Sequence, residues 1–277
     1  MIELPEAATI AGQVDADLTG KTVAAVERGN SPHKFAFCTG SPDEYAAMLV
    51  GKSISGAEGL GNHVVVAVER DLALVLGGGG ERILFHAGDK TLPKKRHLLL
   101  RFSDGTYLTV SVQGWGAVQC VPREDLATRT FVGPGRVSPL DEAFSPAYWE
   151  GLFAGLEPGD PRAVKFLLIS KPGVWGLGNG YLQDILFYGG LHPRRRAVDL
   201  TPDERRALYD ATVRVLRDAT ALGGRDSERD LYDRPGGYQK VLDSTTLGEP
   251  CPRCGGVIEK FAFLGGACYV CPACQPL

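Results

Sequence analysis

The sequence predicts an α+β chain in three successive parts, and three observations carry that reading. Residues 20–121 are dominated by β-rich runs, residues 146–222 by apolar residues at helical spacing, and residues 246–277 hold two Cys-x2-Cys pairs. At 277 residues the chain is too long for one ordinary core and suits about two domains. The expected boundaries are an N-terminal β-sandwich domain over 1–130, a linker over 131–145, a helical domain over 146–245 and a zinc-binding segment over 246–277.

The elements follow from local pattern. Ile10, Val14 and Leu18 share one face of a short helix over 8–19. The runs VVVAVERD (64–71), LALVL (72–76), RILFH (82–86), HLLLRF (97–102) and YLTVSV (107–112) read as strands separated by Gly, Asp and Lys turns. SDGT (103–106) joins two of them as a hairpin, and the whole reads as a β-sandwich or barrel. Residues 122–146 carry several Pro and Gly with little periodicity, as a linker does. Helical segments follow, and Thr201 with Pro202 and Glu204 forms an N-cap, a Pro at N1 and a capping-box partner.

Composition sets outer bounds. Hydrophobic residues make up 44% and charged residues 23%, ordinary for a globular protein. No apolar run approaches the ~20 residues of a membrane span. No basic region precedes an apolar stretch at the N-terminus, so no export signal is expected and the cytoplasm is the default location. The net charge of −3 does not advertise a polyanion partner, but it is unevenly spread. Residues 1–160 hold 14 Lys+Arg against 20 Asp+Glu, and residues 161–277 hold 16 against 13, so any attraction for a polyanion resides in the C-terminal part.

Two motifs carry chemistry. CPRC (251–254) and CPAC (271–274) form C-x2-C-x16-C-x2-C, so Cys251, Cys254, Cys271 and Cys274 can place four thiolates around a structural Zn²⁺ at ~2.3 Å. Cys268 and Cys271 make an alternative second pair; the 271/274 pairing puts a Pro after the first Cys of each knuckle. With four protein ligands no water is activated, so the zinc is structural. The second motif is GLGN (176–179), a Gly-rich turn between two helices. Gly178 and its neighbours offer backbone N–H groups at a helix start, where an anion binds, and Asn179 adds a side-chain donor. The competing reading is a helix corner with Gly for packing.

Together these pieces resemble the formamidopyrimidine-DNA glycosylase and endonuclease VIII family over the whole chain. The residues that carry it are ELPEA (3–7), GLGNGYLQDILFYGGLHP (176–193), GGRDSERDLYDRPGGYQ (223–239), and PCPRCGGVIEK with CPACQ (250–275). The resemblance implies an N-terminal β-sandwich flanked by helices, a helix–two-turn–helix domain and a β-hairpin zinc finger. It also implies a monomer, associated with the nucleoid, that holds DNA in a cleft between domains and flips a damaged base out of the stack.

It implies a chemistry that this chain alters. The family's nucleophile is a Pro, exposed by removal of Met, whose secondary amine attacks the sugar. Here that position is Ile2, and Met1 is expected to stay, since its removal is efficient only before small residues. Glu3 and Glu6 match the family's acidic pair. The catalytic Lys falls at Asn62, the Met of the void-filling loop is missing from VLGGGG (75–80), and the Arg and Phe wedge falls at Gln113 and Trp115. Trp115 either wedges into a duplex or packs in the core. A phosphate-gripping Arg of the zinc finger falls near Gly266, while Lys165 and Asn179 are kept. NSPHKFAF (30–37) has no family counterpart, and His33 and Lys34 are surface residues or new pocket groups.

The expected function is hydrolysis of a lesion's N-glycosidic bond by a water that Glu3 or Glu6 activates, with little or no β-lyase activity. The alternative is a non-catalytic binder of damaged or distorted DNA, with a function away from DNA as a third reading.

Overall fold

The computed structural model describes residues 1–29, 34–129, 132–133, 135–170 and 173–277, in two compact units. Met1–Arg136 with Thr220–Tyr238 form the first unit, and Val137–Ala219 with Gln239–Leu277 form the second. Segment 220–238, which the sequence reading placed in the helical domain, therefore belongs with the β-rich part. His33 lies outside the described residues; Lys34 is exposed, its ammonium 4.7 Å from the Phe35 ring centroid.

The first unit contains two sheets. The smaller has the order β1 (Val23–Arg28), β7 (Leu98–Phe102), β8 (Tyr107–Val112), β6 (Glu81–His86), all antiparallel. The larger runs β2 (Ala36–Cys38), β9 (Gly116–Pro122), β5 (Leu72–Gly77), β4 (His63–Val68), β3 (Ile54–Leu60), with β2–β9 parallel and the rest antiparallel. Val64, Val66, Leu74, Leu76 and Val118 of the larger sheet join Ile83, Leu98, Leu100, Leu108 and Val110 of the smaller in one core. The uninterrupted Val64–Val66 run is explained by burial on both faces. Side chains alternate, so Val65 turns outward and joins Val75, Val121 and Val132 in a second cluster. The SDGT turn joins β7 to β8, with Asp104 Oδ1 accepting the Thr106 N–H at 3.0 Å.

Helix α1 (Leu4–Leu18) begins earlier than its apolar spacing indicates, because Glu3 serves as the N-cap and a Pro stands in the first turn. Its Ala7, Ile10, Ala11, Val14 and Leu18 enter the core of the sandwich. Helix α2 (Pro42–Leu49) interrupts a region read as mostly strand. Its Ser41–Glu44 capping box fixes the start, and Tyr45 and Leu49 anchor it in the core.

In the second unit, α3 (Pro146–Gly151) places Trp149 among Phe144, Phe153 and Tyr209, with the indole N–H donating to the Arg205 carbonyl at 3.0 Å. After helix α4 (Val164–Ile169), the Val174 N–H donates to the Leu168 carbonyl and the Leu177 N–H to the Val174 carbonyl. Helix α5 (Asn179–Tyr188) then runs with residues 181–187 all buried. This is the helix–two-turn–helix arrangement. Helix α6 (Pro202–Ala221) starts on the expected Thr201–Glu204 box and presents Leu208, Ala211, Thr212, Val215, Leu216 and Ala219 as its buried stripe. The chain ends in a hairpin of β10 (Glu259–Phe263) and β11 (Gly266–Val270). No helix among the described residues is long and apolar enough to cross a membrane.

Candidate functional site

The first turn of α1 turns both expected carboxylates inward. Glu3 caps the helix, and Glu6 Oε2 accepts the Glu3 N–H at 2.9 Å. Each residue is 2% exposed. Their compensating charge is Arg225, a residue the sequence reading quoted within GGRDSERD but gave no role. Arg225 Nη1 donates to Glu3 Oε1 at 3.1 Å, Nε to Glu6 Oε1 at 3.1 Å and Nη2 to Glu6 Oε2 at 3.2 Å. Its backbone N–H adds a bond to Glu6 Oε1 at 3.0 Å, and Nη2 also reaches the Met1 carbonyl. The loop comes this close because Gly224 has φ +90° and no side chain; a Cβ there would stand 2.9 Å from Glu6 Cγ.

Position 2 offers no reactive group. The Ile2 side chain is 2% exposed and belongs to the sandwich core, and its N–H donates to the Gly79 carbonyl at 2.8 Å. The Met1 amino group forms an ion pair with Glu228.

Gly79 belongs to the four-glycine stretch 77–80, whose backbone lies directly against residues 113–116. Gly80 N–H donates to the Trp115 carbonyl at 2.9 Å. A Cβ on Gly79 or Gly80 would stand 2.0 Å from the carbonyl oxygen of Trp115 or Gln113, so this stretch cannot carry side chains there. Beside it sits Glu81, which the sequence reading did not single out. It is 5% exposed, and its two oxygens accept the N–H groups of Gly79 and Ala117, each at 2.9 Å. Burial pushes its carboxyl up to about 7, against the lowering effect of those bonds. Nothing in the sequence marks it, because Ala117 becomes its neighbour only when β6 and β9 are in place.

Trp115 is 48% exposed, which excludes a core-packing role. It lines a cavity of about 810 Å³ in the first unit, together with Asn62. Gln113 is exposed and does not line it.

The second unit brings Lys165, Asn179 and Gly266 together. A Cβ on Gly266 would lie 3.4 Å from Asn179 Nδ2 and 3.5 Å from Lys165 Nζ. Lys165 is 1% exposed; its ammonium donates to the Phe263 carbonyl at 2.8 Å and lies 3.4 Å from Cys268 Sγ. Asn179 Nδ2 donates to the Ala267 carbonyl at 3.1 Å, and Gln183 Nε2 donates to Asn179 Oδ1 at 3.1 Å. Both residues thus fasten α4 and α5 to the β10–β11 hairpin. Gly178 is the N-cap of α5 and adds no side chain to the corner.

Cys251, Cys254, Cys271 and Cys274 converge with their sulfurs within 4.8 Å of one another. Cys251 Sγ is 3.8 Å from Cys274 Sγ, and Cys254 Sγ is 3.5 Å from Cys271 Sγ. Tetrahedral Zn–S bonds of ~2.3 Å require sulfurs roughly 3.8 Å apart, so the donor set fits a structural Zn²⁺. Cys268 stands outside this group, under the Lys165 ammonium, which settles the second pair as 271/274.

The fold agrees with that of known proteins over nearly the whole chain. Residues 1–113 match the formamidopyrimidine-DNA glycosylase N-terminal domain, residues 137–230 the formamidopyrimidine-DNA glycosylase H2TH domain, and residues 248–277 the zinc finger found in FPG and IleRS. The formamidopyrimidine-DNA glycosylase of Roseiflexus sp. (strain RS-1) is 31% identical over 285 residues, spanning 99% of this chain and all of that protein. That of Chloroflexus aurantiacus is 30% identical, spanning 99% and 98%. Among solved structures, the MutM (Fpg) protein of Thermus thermophilus superposes with a TM-score of 0.81 at 27% identity, covering 99% of this chain and 98% of that one. Lactococcus lactis Fpg in complex with DNA containing an abasic site gives 0.84 at 23% identity, covering 99% and 100%. The chain belongs to the formamidopyrimidine-DNA glycosylase family.

Proposed function

We propose that the chain binds damaged DNA and hydrolyses the N-glycosidic bond of a lesion without forming an imine through its amino terminus. The glycosylase class rests on membership of the family. The departure rests on one observation, the closed cluster around Ile2. A covalent route needs an amine nucleophile at position 2, and that position holds a buried aliphatic side chain and a peptide nitrogen bonded to Gly79. Hydrolysis needs no amine: a carboxylate takes a proton from water as its oxygen bonds to the sugar carbon, the glycosidic bond breaks, and that proton passes to the departing base. Glu3 is the base in this reading, with Glu6 as its partner. Arg225 pairs with both carboxylates, so a water reaches Glu3 only after Arg225 withdraws, and the resting state is closed. Gly178 and Asn179 serve the phosphate backbone, Lys165 is buried and holds the hairpin beside them, and Asn62, Gln113 and Trp115 serve the strand that carries the lesion.

A second reading, a binder of damaged DNA without catalysis, is favoured by the burial and full pairing of the same carboxylates. The two are separated by free-base release from duplexes carrying a panel of oxidised and ring-opened bases. Release that falls at least a hundredfold in Glu3→Gln, with the fold intact by thermal melting, establishes hydrolysis. Tight binding with no release from any lesion establishes the binder.

A further inference from the structure

We propose that the cavity on the outer face of the larger sheet is a nucleobase pocket. Resting on the reading that the chain handles DNA, this assigns the everted base a place in that cavity, beside the N-terminal cluster. The volume, about 810 Å³, falls within the roughly 300–1,000 Å³ of small-ligand pockets. Its floor is the outward face of β5 and β9, where Val75 and Gln119 are direct cross-strand partners. Two aromatic side chains line it, Trp115 at 48% and Phe37 at 51% exposure, large apolar surfaces left to solvent by the fold. A flat heteroaromatic ring stacks on such faces, and a base is a ring of this kind.

The polar groups in the cavity match a base edge. Gln119 Oε1 accepts from Arg129 Nη1 at 2.6 Å, which fixes the orientation of the amide. The Asn62 side chain makes no hydrogen bond with any described residue, although Asn62 is partly buried and lines the same cavity. Two amides, each with a donor and an acceptor, meet the alternating donors and acceptors of a purine or pyrimidine edge. The family's Lys is replaced here by one of these amides, which exchanges a fixed cation for a reader of hydrogen-bond pattern. The cavity also adjoins the N-terminal cluster. Gly78 lines it and directly precedes Gly79, whose carbonyl accepts the Ile2 N–H.

The test uses one photoreactive base from two sources, the free nucleoside 5-iodouridine and a duplex carrying a single mismatched 5-iodouracil. The full zinc-loaded chain is irradiated with each, and crosslinks are mapped by mass spectrometry. Crosslinks at Trp115 or Phe37 from either source support the pocket, and the source that gives them says whether it takes free nucleosides or bases everted from DNA. Val75→Trp, which fills the floor, is expected to lower that yield at least tenfold, and Gln119→Leu gives the same readout should the first variant not fold. Duplex bound in a mobility-shift assay with crosslinks only elsewhere overturns the pocket while leaving the DNA reading in place. Should no duplex bind, the nucleoside arm decides: crosslinks at the two rings support the pocket, and none overturns it. Unchanged yield in a variant that melts like the parent also overturns it.

Discussion

Removing the Arg225 guanidinium is the perturbation whose size the structure fixes best. Arg225 is 4% exposed and Glu3 and Glu6 are each 2% exposed, so no solvent is at hand to replace the lost partner. Arg225→Ala deletes the charge-assisted bonds at 3.1, 3.1 and 3.2 Å and leaves two carboxylates buried together. Breaking a buried pair by removing one partner costs about 3–5 kcal/mol, most of it the penalty of the charge left behind. For a domain of this size each kcal/mol is worth roughly 2–4 °C, so the melting temperature should fall by about 6–20 °C. The assay is denaturant and thermal unfolding at pH 7, with zinc present throughout. The accompanying triple variant Arg225→Met, Glu3→Gln, Glu6→Gln removes all three charges and should recover most of the loss, because an uncharged replacement carries no uncompensated ion. A single Arg225→Ala within about 1 kcal/mol of the parent would refute the claim that one guanidinium neutralises the N-terminal pair.

Other expectations follow from the same geometry. Glu81, raised in the fold from 4.5 to about 7, binds its proton more tightly folded than unfolded. Its contribution is therefore full below about pH 4.5 and is lost as pH rises through 7, by roughly 3 kcal/mol at 1.36 kcal/mol per unit. Relative to Glu81→Gln the parent should lose about that much stability between pH 4.5 and 7.5 in urea titrations, and parallel pH profiles would count against a raised carboxyl. Stripping zinc with a chelator should unfold the β10–β11 hairpin, seen as loss of amide-exchange protection over residues 259–270, and should weaken DNA binding; unchanged affinity would remove the finger from the DNA grip. Asn179→Ala should weaken binding to all DNA sequences by a similar factor, as a phosphate contact does, and a loss confined to some sequences would contradict that role.

What was legible in the sequence is what depends on near neighbours. The zinc ligands were read from spacing because each knuckle is local, and the choice of Cys274 over Cys268 followed from matching the two CPxC turns. Strands β4 to β8 were read from β-rich runs, and the start of α6 from its Thr201–Glu204 box. The start of α1 was missed because Pro5 and Glu6 in its first turn break the apolar run; the cap at Glu3, not periodicity, sets it. Helix α2 was missed although Ser41-Pro42-Asp43-Glu44 is a local capping signal, because the surrounding pattern is strand. The Arg225 clamp was out of reach: it pairs residues 219 and 222 positions apart, through a loop that rejoins the first unit after the helices. Glu81 and the cavity were hidden for the same reason: Ala117 reaches Glu81 from the other sheet, and the cavity floor is set by the β5–β9 register. Trp115 was evenly balanced between wedge and core in the sequence, and only its exposure in the fold separates the two.

The central claim is that the amino terminus supplies no amine to the sugar. The most direct measurement is borohydride reduction of the chain incubated with a duplex containing one abasic site, followed by peptide mapping. The account predicts binding of the duplex with no reduced adduct at the amino terminus. A reduced adduct in good yield, mapped to Met1 or Ile2, would contradict it.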